Sequence, residues 1–127
     1  MPNLNNFSMA VIIQDRISAT HSGVSFTANP VNGNREEMVI ESIEGIGKLL
    51  VDGEVTPDMY IINKRNLSIN KYTDGRQEKK LIMNPKGRLI IQEKYIKRLS
   101  IDRDIILALS KICLKIEKLY NYPVDIE

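Results

Sequence analysis

The sequence contains no tryptophan, and aromatic residues make up only 6% of it, so aliphatic side chains must fill most of the core. Its one cysteine, Cys113, cannot form an internal disulfide. No positively charged leader precedes an apolar run, and the longest apolar stretches, such as residues 9–13, are far too short to span a bilayer. These absences favour a cytoplasmic location.

The charges nearly balance, with 18 basic and 16 acidic side chains and a net charge of +2. This balance gives no reason to expect a nucleic-acid or a membrane partner. A length of 127 residues fits one domain, and 43% hydrophobic with 27% charged residues is ordinary for a soluble globular protein. We therefore expect one core, no nucleic-acid partner and no membrane partner.

Short apolar runs separated by turn residues fill most of the chain, which predicts a strand-rich part over residues 9–98 after a leading loop over residues 1–8. The predicted strands are residues 9–14, 24–27, 38–41, 59–62, 67–72, 80–83 and 89–92. Residues 64–66 form the turn of one hairpin, and residues 43–51 predict a short helix closed by Gly53.

The last third changes period and predicts one long amphipathic helix over residues 100–121. Ser100 suits the N-cap, and Asp102 and Asp104 place negative charge in the first turn, where the helix dipole favours it. The predicted apolar stripe, with members three or four residues apart, consists of Ile105, Leu109, Ile112, Ile116 and Leu119. The helix should stop by residues 121–123, because proline disfavours helix in the residue before it.

Residues 123–127 alternate apolar and acidic side chains, as at the start of a strand. A strand that begins at the last residues indicates a shortened chain. Many short strands with one long helix predict an α+β lobe.

Several ordered motifs resemble the nucleotide-binding domain of phosphoenolpyruvate synthase, pyruvate phosphate dikinase and the rifampicin phosphotransferases. The motifs are, in order, Met9-Ala-Val-Ile-Ile-Gln14, Ser22-Gly-Val-Ser-Phe-Thr-Ala-Asn-Pro30, Val31-Asn-Gly33, Arg35, Val39-Ile-Glu41, Gly45-Ile-Gly47 and Gly53-Glu-Val-Thr-Pro-Asp58. The resemblance resumes at Leu99-Ser100, continues through the long helix and reaches Pro123-Val-Asp-Ile-Glu127.

This resemblance implies an ATP-grasp-like fold, in which two α+β lobes close on ATP and Mg²⁺. Residues 1–127 would form a single partial subdomain, one lobe with a mostly antiparallel sheet and a long C-terminal helix. In such enzymes, ATP phosphorylates a histidine on another domain, which then passes the phosphoryl group to pyruvate or a related acceptor. The implied partners are the missing N-terminal lobe and the phosphohistidine domain, and the chain alone is expected to be inactive.

Asp125 and Glu127 lie two residues apart on the predicted last strand, so both point to the same face. Paired carboxylates suit a hard cation, and the resemblance implies that these two bind the Mg²⁺ of Mg-ATP. Without the resemblance, two acids at a terminus would simply be solvated.

The resemblance also implies nucleotide contacts in the hinge segment at Gln14, Arg16 and Ile17, with Arg16 standing where the family has a methionine. Glu37 and Glu41 lie on one face of a predicted strand and are candidates to face the nucleotide cleft. The alternatives are that Gln14 only pairs within the sheet and that both glutamates lie on an exposed face.

Other features favour competing interpretations. His21 lies in a variable turn and is not expected to be catalytic, and Cys113 is interpreted as a buried structural thiol. Lys48 stands where the family often has an acid and, with Arg16, favours the alternative of a non-catalytic nucleotide-binding or regulatory remnant. Basic clusters at residues 76–80 and 94–98 leave a nucleic-acid-binding domain as a third, weaker hypothesis.

Overall fold

The computed structural model describes residues 7–93 and 101–127, and within them it has an α+β architecture. In chain order, the elements are β1 (His21–Phe26), β2 (Glu37–Glu44), α1 (Lys48–Val51), β3 (Asp58–Asn63), β4 (Ile69–Thr73), β5 (Lys79–Met83), β6 (Leu89–Glu93), α2 (Arg103–Tyr120) and β7 (Asp125–Ile126). No helix in these two described ranges is long and apolar enough to cross a membrane.

Five strands form one sheet in the order β4-β3-β2-β1-β7, and every neighbouring pair is antiparallel. The last strand of the chain therefore lies beside the first. The remaining strands, β5 and β6, form a separate antiparallel hairpin.

Side chains alternate between the two faces of this sheet, because successive residues of a strand point in opposite directions. One face, which we call the helix face, carries Met38, Ile40, Tyr60 and Ile62, and these side chains are at most 5% exposed. They cluster with Ile106 and Cys113 of α2. Burial of each such aliphatic side chain contributes about 1.5–3 kcal/mol, so this face supplies the main core.

A smaller cluster attaches the β5–β6 hairpin to the end of β2. It consists of Ile43, Leu49 and Leu81. The Gln77 side chain accepts a hydrogen bond from the backbone N–H of Glu44 (2.9 Å) and donates one to its carbonyl oxygen (2.7 Å). The Gln77 amide thereby substitutes for a strand partner at the point where β2 ends.

The strand predicted over residues 9–14 is wrong, since residues 7–19 have no regular secondary structure. Met9, Val11, Ile12 and Ile13 are 74–94% exposed. A strand needs hydrogen-bonded neighbours, and none of the strand pairings among the described residues includes this run. The apolar, β-branched run therefore has no strand partner within the described residues.

The other strand predictions are confirmed with shifted boundaries. The hairpin predicted around residues 64–66 is β3–β4, and the one predicted at residues 80–92 is β5–β6. The short helix predicted over residues 43–51 begins only at Lys48, because β2 continues to Glu44.

The long helix is present, but its predicted cap and stripe need correction. Asp102 is the N-cap residue and the helix begins at Arg103, whereas Ser100 lies outside the described residues. The buried residues are Ile106, Ser110 and Cys113. By contrast, the predicted stripe members that stay exposed, by 53–80%, are Ile105, Ile112 and Leu119. The helix is therefore rotated, so that a neighbouring stripe meets the sheet.

Candidate functional site

The register between β1 and β7 places the two predicted metal ligands on the side of the sheet away from α2. Ser25 pairs with Ile126 and Phe26 pairs with Asp125. Ile126 packs against the main core, while Asp125 and Glu127 on either side of it are exposed. Strand alternation therefore directs both carboxylates to the face opposite the helix face.

Glu41 belongs to the same surface. It pairs with Val24 of β1, and continuing the β1–β7 register by one residue sets Glu127 on the other side of Val24. Neighbouring strands lie about 4.8 Å apart, so the backbones of Glu41 and Glu127 are separated by about 10 Å. We call the surface formed by Val24, Phe26, Glu41, Asp125 and Glu127 the acidic face.

Glu37 lies on the same side of β2 but has a structural partner. Its carboxylate accepts a hydrogen bond of 2.9 Å from the side-chain amide of Asn29, a buried residue. The Asn29 side chain also accepts a bond from the backbone N–H of Val31 at 3.0 Å. Glu37 therefore holds the turn between β1 and β2, and its carboxylate is partly committed there.

Thr27 fixes the start of β7 and thus the position of Asp125. Its hydroxyl accepts a hydrogen bond from the Val124 N–H (2.8 Å) and donates one to the Val124 carbonyl (3.3 Å). Its own N–H donates to that same carbonyl at 3.0 Å. The Thr27 carbonyl in turn accepts a bond of 2.7 Å from Lys64, which also pairs with Glu117 of α2 at 2.8 Å. These contacts join β1, β7, α2 and the β3–β4 turn.

Sequence reasoning missed Thr27 and Asn29 as anchoring residues, although both lie inside the Ser22–Pro30 motif. A threonine indicates an anchoring role only when its hydrogen-bond partner is known, and the partner of Thr27, Val124, lies 97 residues away. Thr27 positions the start of β7, and Asn29 holds the turn between β1 and β2 together with Glu37.

Gln14, Arg16 and Ile17 are not brought to the acidic face by any contact in the described structure. All three lie in the irregular segment before β1, where Ile17 is 80% exposed. Their assignment to an adenine site stays a prediction.

A cavity of about 290 Å³ lies along β1 beside the N-terminal half of α2. The cavity lies on the helix face of the sheet, and Glu41 and Glu127 also border it although strand alternation directs their side chains to the other face. The apolar part of the wall consists of Ile40, Ile101, Ile105, Leu109 and Ile126. His21 also contributes to the lining at the start of β1.

Cys113 and Lys48 have local explanations. The Cys113 thiol is fully buried, and burial raises its pKa, against a smaller lowering by a hydrogen bond with Ser25. A buried thiol with a raised pKa is a poor nucleophile, which supports its structural interpretation. Lys48 forms an ion pair with Asp52 one turn along α1, and that hydrogen bond is the main cause of its raised pKa.

The basic cluster at residues 76–80 is largely neutralised by acidic neighbours. Arg76 pairs with Glu78, Lys79 with Glu54, and Lys80 with Glu44. The companion cluster at residues 94–98 lies outside the described residues. The part of the basic surface that the structure shows therefore offers little free charge to a nucleic acid.

In the described ranges, no three Asp, Glu, His or Cys side chains are grouped closely enough to hold a metal ion by themselves. The oxygen donors of the acidic face nevertheless have the right chemistry for Mg²⁺, which proteins commonly bind through one or two carboxylates together with substrate phosphates. Asp125 and Glu127 are the two that would hold it.

The family model for the pyruvate phosphate dikinase AMP/ATP-binding domain matches residues 3–127. This chain belongs to that family. Its match covers nearly the whole sequence, and it includes both the motifs before β3 and the strand that carries Asp125.

Several larger proteins contain a region similar to this dikinase-family domain. The chain is 37% identical over 123 residues to a probable phosphoenolpyruvate synthase of Methanocaldococcus jannaschii and 34% identical over 128 residues to the phosphoenolpyruvate synthase of Pyrococcus furiosus. It is 34% identical over 123 residues to an uncharacterized phosphotransferase of Bacillus subtilis. Each alignment covers 94% of this chain but only 10%, 16% and 14% of the respective relative.

Proposed function

We propose that this chain is the ATP-binding subdomain of a phosphoenolpyruvate-synthase-like phosphotransferase, with one lobe of an ATP-grasp-like fold. Its acidic face would hold Mg²⁺ and turn it toward the ATP phosphates. In the parent enzyme, ATP would phosphorylate a histidine on another domain, which then passes the phosphoryl group to pyruvate or a related acceptor. The family membership and the names of the relatives support this assignment.

The observation that carries the proposal is the convergence of Glu41, Asp125 and Glu127 on the sheet face away from α2. Asp125 and Glu127 are exposed and Glu41 is half-buried, so all three remain accessible. A magnesium ion with its bound phosphates spans several ångströms, which suits carboxylates on strands about 10 Å apart.

The neighbouring residues suit the task. Val24 lies between Glu41 and Glu127, Phe26 lies beside Asp125, and both are half-buried, so they give the acidic face an apolar floor. A partly apolar surface that excludes water strengthens each charge interaction formed above it. Mg²⁺ would supply neutralisation of phosphate charge, and Thr27 would keep Asp125 and Glu127 in position for it.

Gln14, Arg16 and Ile17 are proposed to contact the adenine from the irregular segment before β1, where they are exposed and available. Glu37 is the least suited of the proposed nucleotide contacts, since Asn29 already engages its carboxylate. The remainder of the cleft would come from an N-terminal lobe of the parent enzyme.

A titration of the labelled chain with Mg-ATP, followed by amide NMR, tests the proposal. We expect weak binding, because one lobe supplies half of a cleft, with shifts concentrated at Val24, Glu41, Asp125 and Glu127. The double substitution Asp125→Asn with Glu127→Gln should abolish these shifts. Glu78→Gln, which removes an exposed acid at the base of the β5–β6 hairpin, is the matched control and should leave them unchanged.

An unshifted acidic face at millimolar Mg-ATP would contradict the proposal and support a remnant that kept the fold and lost nucleotide binding. Equal loss of binding in the double variant and in the Glu78→Gln control would show that the response is only to net charge.

A further inference from the structure

The apolar stripe of α2 predicted from the sequence is only partly used by the fold, since Leu109 packs against the main core while three other members stay exposed. Its members follow each other at spacings of four, three, four and three residues, the spacing that keeps one seam of a helix facing a second helix. Ile105 is 57% exposed, Ile112 is 53% exposed and Leu119 is 80% exposed. The seam therefore has the pattern of a helix–helix contact without a second helix beside it in the described structure.

The position of this seam on α2 distinguishes it from the face that packs on the sheet. At about 100° of rotation per residue, the seam is centred about 110° away from the buried stripe of Ile106, Ser110 and Cys113. The two stripes are therefore adjacent but separate. A helix resting on the seam would lie in the angle between α2 and the edge of the sheet.

The cavity described above opens beside the N-terminal half of this seam. Ile105 and Leu109 belong to both, and Ile101 and Ile126 extend the apolar wall. A large apolar side chain from a docked helix would find about 290 Å³ there. Buried anchors of this kind supply most of the binding energy in protein interfaces.

Lysines flank the seam on the side away from the sheet. Lys111, Lys115 and Lys118 are exposed, and none of them forms an ion pair with another described residue. Asp104 is the acid on this flank, in the first turn of the helix. The flank therefore carries a net positive charge along most of its length.

We propose that the seam of α2 binds an amphipathic helix that has an apolar heptad stripe and an acidic flank. Apolar contacts along the seam supply affinity, and glutamate or aspartate opposite Lys111 and Lys115 sets orientation. A second copy of α2 fits poorly, because antiparallel pairing would bring the two lysine flanks together. The larger relatives leave ample chain for such a helix in cis, since this chain spans 10–16% of their length.

The test uses the full chain and two synthetic helical peptides of three heptads. Both carry leucine along the stripe, and they differ only in having glutamate or lysine on the flank. We expect amide shifts in α2 centred on Ile112, with the glutamate peptide binding at least about tenfold more tightly, which corresponds to about 1.4 kcal/mol. The preference should fall as salt screens the charges.

Two variants make the result specific. Ile112→Ser with Leu119→Ser removes exposed side chains, so the fold should persist while binding falls at least about tenfold. Lys111→Glu with Lys115→Glu should reverse the preference between the two peptides. Equal binding of both peptides, or no shift in α2, would overturn the proposal. So would concentration-dependent dimerisation through Ile112, or binding to phosphatidylserine vesicles that the serine variant abolishes while peptides stay unbound.

Discussion

The two faces of the five-stranded sheet have different roles, although the same strands form both. On the helix face, Met38, Ile40 and Ile62 are at most 1% exposed. On the acidic face, Val24 and Phe26 are half-buried, and Asp125 is exposed. Because strand alternation assigns neighbouring residues to opposite faces, stability and ligand chemistry are interleaved residue by residue along the same strands.

This contrast indicates that the acidic face can lose charge without loss of the fold. Its carboxylates are exposed or half-buried and lie outside the main core, which belongs to the helix face. We therefore expect large stability effects from substitutions in the helix-face core, and binding effects without unfolding from substitutions of the acidic-face carboxylates.

Neighbouring isoleucines of β3 give the largest expected effect. Ile62 is fully buried on the helix face, and Ile61 is half-buried on the opposite face. Ile62→Ala should lower the free energy of unfolding by about 4 kcal/mol through lost burial and a cavity. Ile61→Ala, the same change one residue earlier, should cost about 1 kcal/mol. Urea unfolding measures both, and equal losses would remove the contrast between the faces.

Loss of the Thr27 hydroxyl, which anchors β7, gives the second-largest expected loss of stability. Thr27→Val keeps the side-chain shape but leaves the Val124 N–H without its hydroxyl acceptor, so we expect a loss of about 2 kcal/mol. Amide hydrogen exchange at Ile126 should accelerate more than exchange in β2. Thr27→Ser retains the hydroxyl and should restore most of the protection. If serine and valine behaved alike, the hydroxyl would have no anchoring role.

Two adjacent cations give the smallest effect. Lys64 is mostly buried, with 14% of its side chain exposed in its pair with Glu117, whereas Arg65 is 80% exposed in its pair with Glu36. Lys64→Met should cost about 1 kcal/mol, because it leaves the Thr27 carbonyl and Glu117 partly desolvated without a donor. Arg65→Met should change stability by about 0.5 kcal/mol or less. A thermal melt that shows the reverse order would contradict the assigned burial.

The sequence predicts the class of this fold because its strands and helix carry strong local patterns. Both hairpins follow from apolar runs around turn residues, and the helix from its apolar period. The predicted stripe of α2 is not the one that meets the sheet, because two residues of the buried stripe, Ser110 and Cys113, are small or polar. Ser110 is nevertheless buried, because its hydroxyl donates to the Ile106 carbonyl at 2.7 Å. Two apolar stripes share α2, and local pattern alone does not choose between them.

The candidate site is also only partly predictable from the sequence. Alternation within a strand predicts that Asp125 and Glu127 share a face, and the exposure on either side of Ile126 agrees. Their approach to Glu41 depends on β7 pairing with β1 across about a hundred residues, as 97 positions separate Thr27 from Val124. Patterns among residues that are close in sequence do not predict a pairing between strands so far apart. The strand prediction for residues 9–14 is wrong for a related reason, because β-branched residues favour a strand but do not specify which strand it pairs with.

The central claim is that Mg-ATP meets the acidic face and not the helix face. Methyl groups of Val24 and Ile40 report on the two faces, since they project from adjacent strands to opposite sides of one sheet. With Mn²⁺ in place of Mg²⁺ and ATP present, paramagnetic broadening should reach the Val24 methyls well before those of Ile40, and Asp125→Asn with Glu127→Gln should remove the difference. Broadening centred on Ile40, or unchanged in the double variant, would contradict the account.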